Sequence, residues 1–238
     1  MKKLVALFVI LAAFLSLNNN STFSQPQIKV HVTGGYNLPL PDLKGEYPAD
    51  TNSLYQKSGF NVGADVKYYL GKKRNVGITL SGAYNSFSSG DISMTGATMV
   101  SKVNIMAIGL GVEYSFMPKG KTNPFLGAEF TGNFFSGKRT VTPTTGTASE
   151  FTLKSASRFG IGVGGGLDFT FNKSIGAVVG FKYNMTNLIG KDSVTSTVTN
   201  EYTLIDKETT ATKSKNLSFI QVYAGVTFSF NHPKAIKK

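Results

Sequence analysis

Few side chains of this 238-residue chain could do chemistry, and none lies in a pattern typical of a catalytic centre. His31 and His232 are the only histidines, and neither has a serine and an acid at the spacing of a hydrolytic triad. Two isolated histidines do not make a zinc site, and the absence of cysteine excludes disulfide and thiolate chemistry. We therefore expect a protein that is not an enzyme, holds no metal and needs no cofactor.

A glycine-rich run formally matches the dinucleotide-binding pattern G-x-G-x-x-G, with Gly160, Gly162 and Gly165 in the three positions. That pattern requires a helix directly after the glycines. Residues 167–171 instead continue the alternation of apolar and polar residues that is typical of a strand. We interpret the glycines as small residues inside a barrel, where they leave room for large neighbours.

The charged residues of the regular segments are more informative than the histidines. Eight segments alternate apolar with small or polar residues at period two, which predicts strands at 28–37, 60–70, 76–87, 105–116, 125–135, 157–171, 175–188 and 218–230. The charges within these segments lie opposite the apolar face, together with His31. Besides Arg158 near the start of the sixth segment, they are four acids and three bases, which are the candidate lumen charges: Lys29, Asp65, Lys67, Glu113, Glu129, Asp168 and Lys182.

The first 24 residues have the pattern of an export signal. Lys2 and Lys3 precede an apolar run of 14 residues from Leu4 to Leu17, and Thr22 and Ser24 suit the −3 and −1 positions of a cleavage after Ser24. The run is shorter than the roughly 20 residues of a transmembrane helix. We predict a cleaved signal peptide at 1–24, a barrel at 25–230 and a basic periplasmic tail at 231–238.

An exported chain with one apolar and one charged face on every strand predicts an all-β fold that is turned inside out. The prediction is an eight-stranded antiparallel up-and-down transmembrane β-barrel, with the apolar face towards lipid and the charges in the lumen. Aromatic residues cluster at the strand ends, as in the interfacial belts of such barrels. A soluble lipocalin-like barrel, with its apolar face inward, is the architectural alternative.

The predicted connections alternate in length, as they do in outer-membrane barrels. Long ones span 38–57, 88–104, 136–156 and 189–217, and short ones span 71–75, 117–124 and 172–174. The Thr-rich segments 136–156 and 189–217 could extend the strands as hairpins above the membrane, and 189–217 leaves ten strands as an open alternative. On the fourth strand, Val103 and Ile105 fall on the inner face, which indicates either a bulge or a strand that has already left the hydrocarbon; we favour the latter.

Positive charge is concentrated at one end of the predicted barrel. The three short turns and the tail carry nine bases and no acid: Lys72, Lys73, Arg74, Lys119, Lys121, Lys173, Lys234, Lys237 and Lys238. They account for most of the net charge of +12. Solvated turns are the simpler interpretation, and attraction to anionic lipid headgroups is the functional one. Nucleic acid is not an expected partner of an exported chain.

Four stretches resemble a known family: 35–40 (GYNLPL), 124–127 (PFLG), 181–188 (FKYNMTNL) and 223–230 (YAGVTFSF). Together they resemble the small OmpA/OmpX-like outer-membrane barrels, in the outer membrane beta-barrel domain form found in Bacteroidetes-like bacteria. The resemblance implies residence in a Gram-negative outer membrane. It also implies contact with the barrel-assembly machinery, which would read the final strand ending in Phe230. We do not expect the anchoring role of the peptidoglycan-binding domain of full-length OmpA proteins to carry over.

Two functions follow for the lumen charges, because an eight-stranded barrel is only wide enough inside to be filled by side chains. Either the charges pair into a plug that keeps the lumen shut, or they line a narrow path or gate for ions. We expect a structural or surface-interaction role, in adhesion or envelope integrity, with the outer loops contacting lipopolysaccharide or an extracellular ligand. A small passive pore and a component of an envelope secretion or assembly machine are the alternatives.

Overall fold

The computed structural model describes residues 26–50, 53–210 and 213–230. The segments predicted as signal peptide (1–24) and as basic tail (231–238) lie outside these residues, as does His232. Both interpretations stay predictions.

The described chain is almost entirely β-structure, with one short helix, α1 (Pro41–Lys44). Its strands, in chain order, are β1 (Ile28–Pro39), β2 (Ser58–Tyr69), β3 (Val76–Ser88), β4 (Ile92–Met94), β5 (Ala97–Ser115), β6 (Thr122–Pro143), β7 (Ser149–Thr170), β8 (Ile175–Ile189), β9 (Glu201–Tyr202) and β10 (Ser218–Phe230). None of the helices in the described ranges is long and apolar enough to cross a membrane.

Eight long strands close into a ring of antiparallel neighbours. The order is β1–β2–β3–β5–β6–β7–β8–β10, and β10 pairs with β1 from Ile28↔Phe230 to Pro39↔Phe219. Strands β4 and β9 lie outside this ring: β4 forms a hairpin with β5, and β9 pairs with β7. The predicted eight-stranded up-and-down barrel is therefore confirmed. Over its described residues, 190–210 and 213–217, the segment between β8 and β10 adds no membrane-spanning hairpin.

The orientation of the side chains is that of a membrane barrel rather than a soluble one. Apolar residues stand on the outer wall, where Leu110 is 61% and Val112 is 58% exposed, whereas Lys29 and Lys67 on the inner wall are each 3% exposed. In water such an outer wall would be costly, at about 25 cal/mol per Å² of apolar surface, whereas in lipid it is the solvated face. The lipocalin-like alternative is wrong, because it requires the opposite orientation.

Exposed aromatic and large apolar residues also mark the two edges of the apolar wall. Tyr84, Met106 and Phe134 stand side by side on β3, β5 and β6 at the outer edge, and Tyr114 stands on β5 at the other. Eight residues separate Met106 from Tyr114, which is about 21 Å at a typical tilt of about 40° and close to the apolar band of about 25 Å in such barrels.

The outer connections differ from two of the predicted ones. Segment 88–104 is predicted as a connection, but β5 begins within it at Ala97. In segment 136–156, β6 runs to Pro143 and β7 begins at Ser149. The hairpin extension expected for 136–156 is therefore present. The same possibility fails for 189–217: beyond Ile189, the last residue of β8, the described residues 190–210 and 213–217 contain only the two strand residues of β9. The described residues of the first outer connection, 40–50 and 53–57, are non-strand apart from α1, in keeping with the low strand propensity of its prolines.

Strand β7 contains the irregularity that decides which residues close the outer end of the barrel. Phe135 of β6 pairs with Ala156 and Gly137 pairs with Leu153, so two steps on β6 match three on β7. This β-bulge reverses the side-chain phase of β7 above residue 156. Strand β5, by contrast, keeps one register from Ala97 to Ser115. The favoured interpretation of the fourth strand is confirmed: it leaves the hydrocarbon without a bulge.

Candidate functional site

The inner wall of the barrel is the candidate functional site, because all seven charged residues that the sequence places in the lumen stand there. Period two places these side chains inward from six strands: Lys29 from β1, Asp65 and Lys67 from β2, Glu113 from β5, Glu129 from β6, Asp168 from β7 and Lys182 from β8. Three pairs of opposite charge form among them. The pairs join strands far apart in sequence, so they tie the ring across its interior.

Two of these pairs form an ion-pair layer at the end of the lumen where the short turns lie. Lys29 donates to Asp168 at 2.5 Å, and Lys67 donates to Glu113. Further donors satisfy the carboxylates: the Tyr69 hydroxyl lies 2.6 Å from Glu113 Oε1, and the Thr227 hydroxyl lies 3.0 Å from Asp168 Oδ1. All four ionic side chains are at most 5% exposed. Buried charges that are paired and hydrogen-bonded in this way form a closed layer.

Glu129 and Lys182 form the third pair, one step further into the barrel. The Lys182 ammonium lies 2.8 Å from Glu129 Oε1, and the Ser81 hydroxyl donates to Glu129 Oε2 at 2.9 Å. This pair borders a polar cavity of about 80 Å³ that Asp65, Thr79 and Tyr223 also line. A water needs at least about 10–15 Å³ of cavity volume, so this cavity is large enough for several waters.

Glycines make the space for this pair. A Cβ on Gly109 would come within 2.5 Å of Ser81 Oγ and 3.0 Å of Glu129 Cδ, and a Cβ on Gly162 would come within 3.0 Å of Glu129 Cγ. The interpretation of Gly160 and Gly162 as small inner-wall residues is therefore confirmed. Gly165, the third residue of the formal dinucleotide pattern, lies on the opposite face beside Leu126.

His31 lies between two acids rather than beside a nucleophile. Its Nδ1 is 3.4 Å from Asp65 Oδ1, and its Nε2 is 3.7 Å from Asp168 Oδ1. The side chain is 1% exposed and is enclosed by the ion-pair layer. Among the residues that the structure describes, no group of three or more His, Cys, Asp or Glu could hold a metal ion.

Above the charges, towards the outer face, an amide layer crosses the lumen. Asn37 donates to Asn85 at 3.0 Å, Asn61 donates to Asn37 at 3.0 Å, and Gln221 donates to Asn61 at 2.9 Å. The three asparagines are each at most 2% exposed. Amides can both donate and accept, so this chain of side chains satisfies itself across β1, β2, β3 and β10 without charge.

An apolar cap closes the outer mouth of the barrel. Its members come from the outer ends of the strands and from the first and last outer connections, and each is at most 4% exposed: Phe87, Val103, Ile105, Phe135, Leu153 and Phe219 from strands, and Leu43, Leu54, Leu204 and Leu217 from connections. The rings of Phe87 and Phe219 meet edge to face at 5.1 Å. The cap is a small hydrophobic core that fills the lumen where a channel would open.

The cap is held by loops that are themselves ordered by hydrogen bonds. Asp206, in the connection between β8 and β10, accepts from Arg158 Nε and Nη2 at 3.0 and 2.9 Å and from the Asn187 amide at 2.9 Å. Its side chain is fully buried. Burial alone would raise the pKa of Asp206, but the hydrogen bonds from Arg158 and Asn187 outweigh it and hold the pKa below its ordinary value.

The first and last outer connections also contact each other. The backbone amide of Asn216 donates to Asp42 Oδ2 at 2.5 Å, and the amide of Leu40 donates to the carbonyl of Ser218 at 3.0 Å. The Lys215 ammonium is buried and donates to the carbonyl of Leu204 at 3.0 Å. Burial holds the pKa of Lys215 below its ordinary value. These contacts join both connections into one lid over the cap.

Sequence reasoning missed the apolar cap, the amide layer and the Asp206 hub. One signal for the cap was present, because Val103 and Ile105 place apolar residues on the inner face of the fourth strand. Phe87, Phe135 and Phe219 follow the same pattern at the outer ends of three other strands. The contributions of Leu43, Leu54 and Leu204 had no such signal, because they lie in irregular segments.

A closed ring with an apolar outer wall and an ionic interior defines a transmembrane β-barrel. The family model of the outer membrane protein beta-barrel domain matches residues 6–230, and the chain belongs to that family. Its location is accordingly the outer membrane of a Gram-negative bacterium.

Solved structures of small outer-membrane barrels are similar in fold. Neisserial surface protein A is 17% identical, with a TM-score of 0.52 over 87% of this chain and all of that one. OprG from Pseudomonas aeruginosa is 12% identical, with a TM-score of 0.46 over 87% of this chain and 98% of that one. Ail, the attachment invasion locus protein of Yersinia pestis, is 11% identical, with a TM-score of 0.41 over 87% of this chain and all of that one. No curated protein sequence matches the chain.

Proposed function

We propose that this protein is a non-enzymatic outer-membrane barrel with a structural or surface-interaction role, exerted through its outer loops rather than through its lumen. The observation that carries the proposal is the apolar cap, which fills the outer mouth with ten side chains that are each at most 4% exposed. The ion-pair layer blocks the opposite end. A solute would have to displace both, and hydrophobic constrictions of this kind exclude ions by dewetting.

The outer surface, by contrast, is extended and firmly held. The hairpin of β6 and β7 continues nine residues beyond Phe134 to Pro143, which is about 23 Å above the apolar band. Its tip, residues 144–148, is exposed and consists of Thr, Gly and Ala. Loops on a rigid scaffold commonly carry binding, and the lid formed by the first and last connections supplies such a scaffold. Adhesion to matrix or to other cells, and support of the envelope, are the roles that fit this surface.

Shortening the projecting hairpin tests the surface role. Replacing residues 142–148 by an Asn-Gly turn, which joins the paired residues Val141 and Ser149 by a two-residue hairpin, should leave insertion into the outer membrane unchanged and reduce adhesion of the cells to a surface several-fold. Adhesion is measured with intact cells that carry equal amounts of each variant. The matched control is Lys173→Gln in a turn at the other end, which should not alter adhesion. Unchanged adhesion in the shortened variant would contradict a role for this hairpin.

A small passive pore is the second candidate, and the polar cavity of about 80 Å³ beside Asp65, Glu129 and Lys182 supports it. Such a pore would need the lid to move and the cap to separate. Discrete single-channel steps that change in Asp65→Ala would then be expected. A sealed barrel instead predicts that Asp65→Ala changes the stability of the protein, and that neither the unchanged protein nor the variant gives conductance steps.

A further inference from the structure

Three lysines stand together on the outer wall of the barrel, above the apolar band and outside the lumen. Lys102 of β5 and Lys138 of β6 are directly paired positions of adjacent strands. Lys154 of β7 lies at the bulge, two residues closer to the membrane than Thr152, the residue that pairs with Lys138. All three residues are exposed. They form a basic patch defined by Lys102, Lys138 and Lys154.

The outward direction of this patch is fixed by the cap on the other side of the wall. Val103, beside Lys102, and Leu153, beside Lys154, are buried in the apolar cap at 1% and 2% exposure. Successive side chains of a strand point to opposite faces, so both lysines point away from the barrel. Without the bulge in β7, Lys154 would share the inward phase of Arg158 and Gly160. The irregularity therefore places Lys154 on the outer wall.

The height of the patch matches the layer of lipid headgroups. Phe134, at the outer edge of the apolar wall, is four residues below Lys138, which is about 10 Å at the usual strand rise and tilt. Asn104 and Ser136 are paired between the two levels. The interfacial region of a bilayer is about 5–8 Å thick on each side, and long lysine side chains extend towards such interfaces. The three ammonium groups can therefore reach the headgroup layer.

The charge of the patch is largely uncompensated. Lys138 lies 2.6 Å from Glu150 Oε1, in a pair whose side chains are 61% and 54% exposed. Within the described ranges, Lys102 and Lys154 have no ion-pair partner. An exposed pair such as Lys138–Glu150 contributes little, so it can be exchanged for a stronger anion. Three bases and one acid remain on a rigid wall.

We propose that Lys102, Lys138 and Lys154 bind the phosphorylated sugar headgroup of a glycolipid in the outer leaflet, that is, the lipid A part of lipopolysaccharide. Lysine ammonium groups bind phosphate as point charges. Asn104 and Ser136 lie beside them at the level where sugar hydroxyls would need donors and acceptors. The acyl chains would lie against the apolar wall around Met106 and Phe134. Lys138 and Lys154 stand at the base of the projecting hairpin, well below its tip at 144–148. The surface role is tested at the tip and this site at the base, so the two proposals can fail independently.

Native mass spectrometry of the full-length barrel in detergent, with added lipid A, tests this site. The variant Lys102→Gln/Lys138→Gln/Lys154→Gln should bind diphosphoryl lipid A about 100-fold more weakly than the unchanged protein. Each lysine near an anionic lipid surface contributes about fivefold to the affinity, and the three factors multiply. The matched control is Lys72→Gln/Lys73→Gln/Lys173→Gln, which removes three charges at the other end of the barrel. It should retain binding. Lipid A without its phosphates should bind the unchanged protein as weakly as the triple variant binds the phosphorylated form.

Several outcomes would overturn the proposal. Equal binding by the triple variant would place the lipid elsewhere, and equal loss in the control would mean a general attraction of charge. Full competition by millimolar inorganic phosphate would mean that the patch binds free anions rather than a lipid. Folding of each variant is checked by its heat-dependent gel mobility. If the triple variant does not fold, Lys102→Gln alone should weaken binding about fivefold, and unchanged binding by that variant would contradict the site.

Discussion

At the scale of residues, the lumen charges act as reciprocal partners rather than as isolated groups. Lys67 contacts Glu113, lies 3.8 Å from Asp65 and packs against the ring of Phe125 at 4.3 Å. A buried charge without its partner is costly, whereas a complete pair is tolerated. This asymmetry means that single substitutions in the ion-pair layer should cost far more than matched double ones.

Lys67→Met should therefore lower the free energy of unfolding of the barrel by about 3–5 kcal/mol, because it strands Glu113 in the buried layer. The double variant Lys67→Met/Glu113→Gln should recover a large part of that loss. Urea unfolding of the lipid-refolded protein measures both. If Lys67→Met alone has no effect, the layer is hydrated, and the lumen is a path rather than a plug.

The Asp206 hub should make the order of the last outer connection depend on pH. Its pKa is lower in the folded protein than in the unfolded chain, so the carboxylate stabilises the folded loop at neutral pH. This contribution is lost as the pH falls below the ordinary value of about 3.9 towards the folded value. Asp206→Asn should lower hydrogen-exchange protection in 190–217 about 100-fold at pH 7, in keeping with loss of a buried pair. The difference between the two proteins should shrink on acidification.

The control for the Asp206 experiment is Glu150→Gln, which also replaces a carboxylate by the corresponding amide, but in an exposed ion pair with Lys138. Exposed pairs contribute little, so protection in 190–217 should stay unchanged in this variant. Equal protection in Asp206→Asn and the unchanged protein at pH 7 would show that the hub does not hold the loop.

At this scale, the inner face of the strands was predictable and the contacts on it were not. Period two is unbroken through the charged parts of the strands, which suffices to place Lys29, Asp168 and the other five charges on one side. Which base meets which acid depends on register around the closed ring. Lys29 and Asp168, for example, are 139 residues apart and stand on strands that are not neighbours.

At the scale of elements, the outer ends of the strands have a different function from their middles. In the middle of the wall, the inner face is polar and the outer face apolar. At the outer ends, Phe87, Val103 and Phe135 turn apolar groups inward. The same strands thus serve as a membrane wall and, above it, as half of a small hydrophobic core. Strand lengths of 19–22 residues in β5, β6 and β7 make room for both parts.

The cap should be a local unit whose loss frees the lid and leaves the wall intact. Leu43 is fully buried, so Leu43→Ala should cost about 2–5 kcal/mol, expressed as faster proteolysis and hydrogen exchange in 40–57. The thermal transition of the barrel should change little, because β1 to β10 remain paired. The control is Val194→Ala, at a residue that is 58% exposed in the connection between β8 and β10. A barrel that unfolds as a whole in Leu43→Ala would contradict a separate cap.

At this scale, the sequence predicts that the eight long strands exist, but not where β5, β6 and β7 end on the outer side of the membrane. The Thr-rich and Ser-rich sequence of 136–156 suits an exposed hairpin as well as a loop. The bulge at 154–155 has no local signature, since it arises where β7 must match both β6 and the curvature of the ring. Only the three-dimensional pairing shows that the side chain of Leu153 points into the cap and that of Lys154 points to the outer wall.

At the scale of the whole molecule, three successive layers of side chains cross the lumen, and we propose that they seal it. The ion-pair layer, the amide layer and the apolar cap follow one another from the short turns to the outer mouth, with one polar cavity of about 80 Å³ among the charges. A wall closed in this way serves as a scaffold. Its active surfaces would then be the projecting hairpin, the lid and the basic patch, all of which lie above the apolar band.

Single-channel recording of the refolded barrel in a planar bilayer tests this account most directly. Protein shown to be inserted by its heat-dependent gel mobility should give no discrete conductance steps, and Asp65→Ala should remain silent as well. Reproducible steps in the unchanged protein whose size changes in Asp65→Ala would mean that the lumen conducts. That result would contradict the sealed barrel and make the passive pore the function.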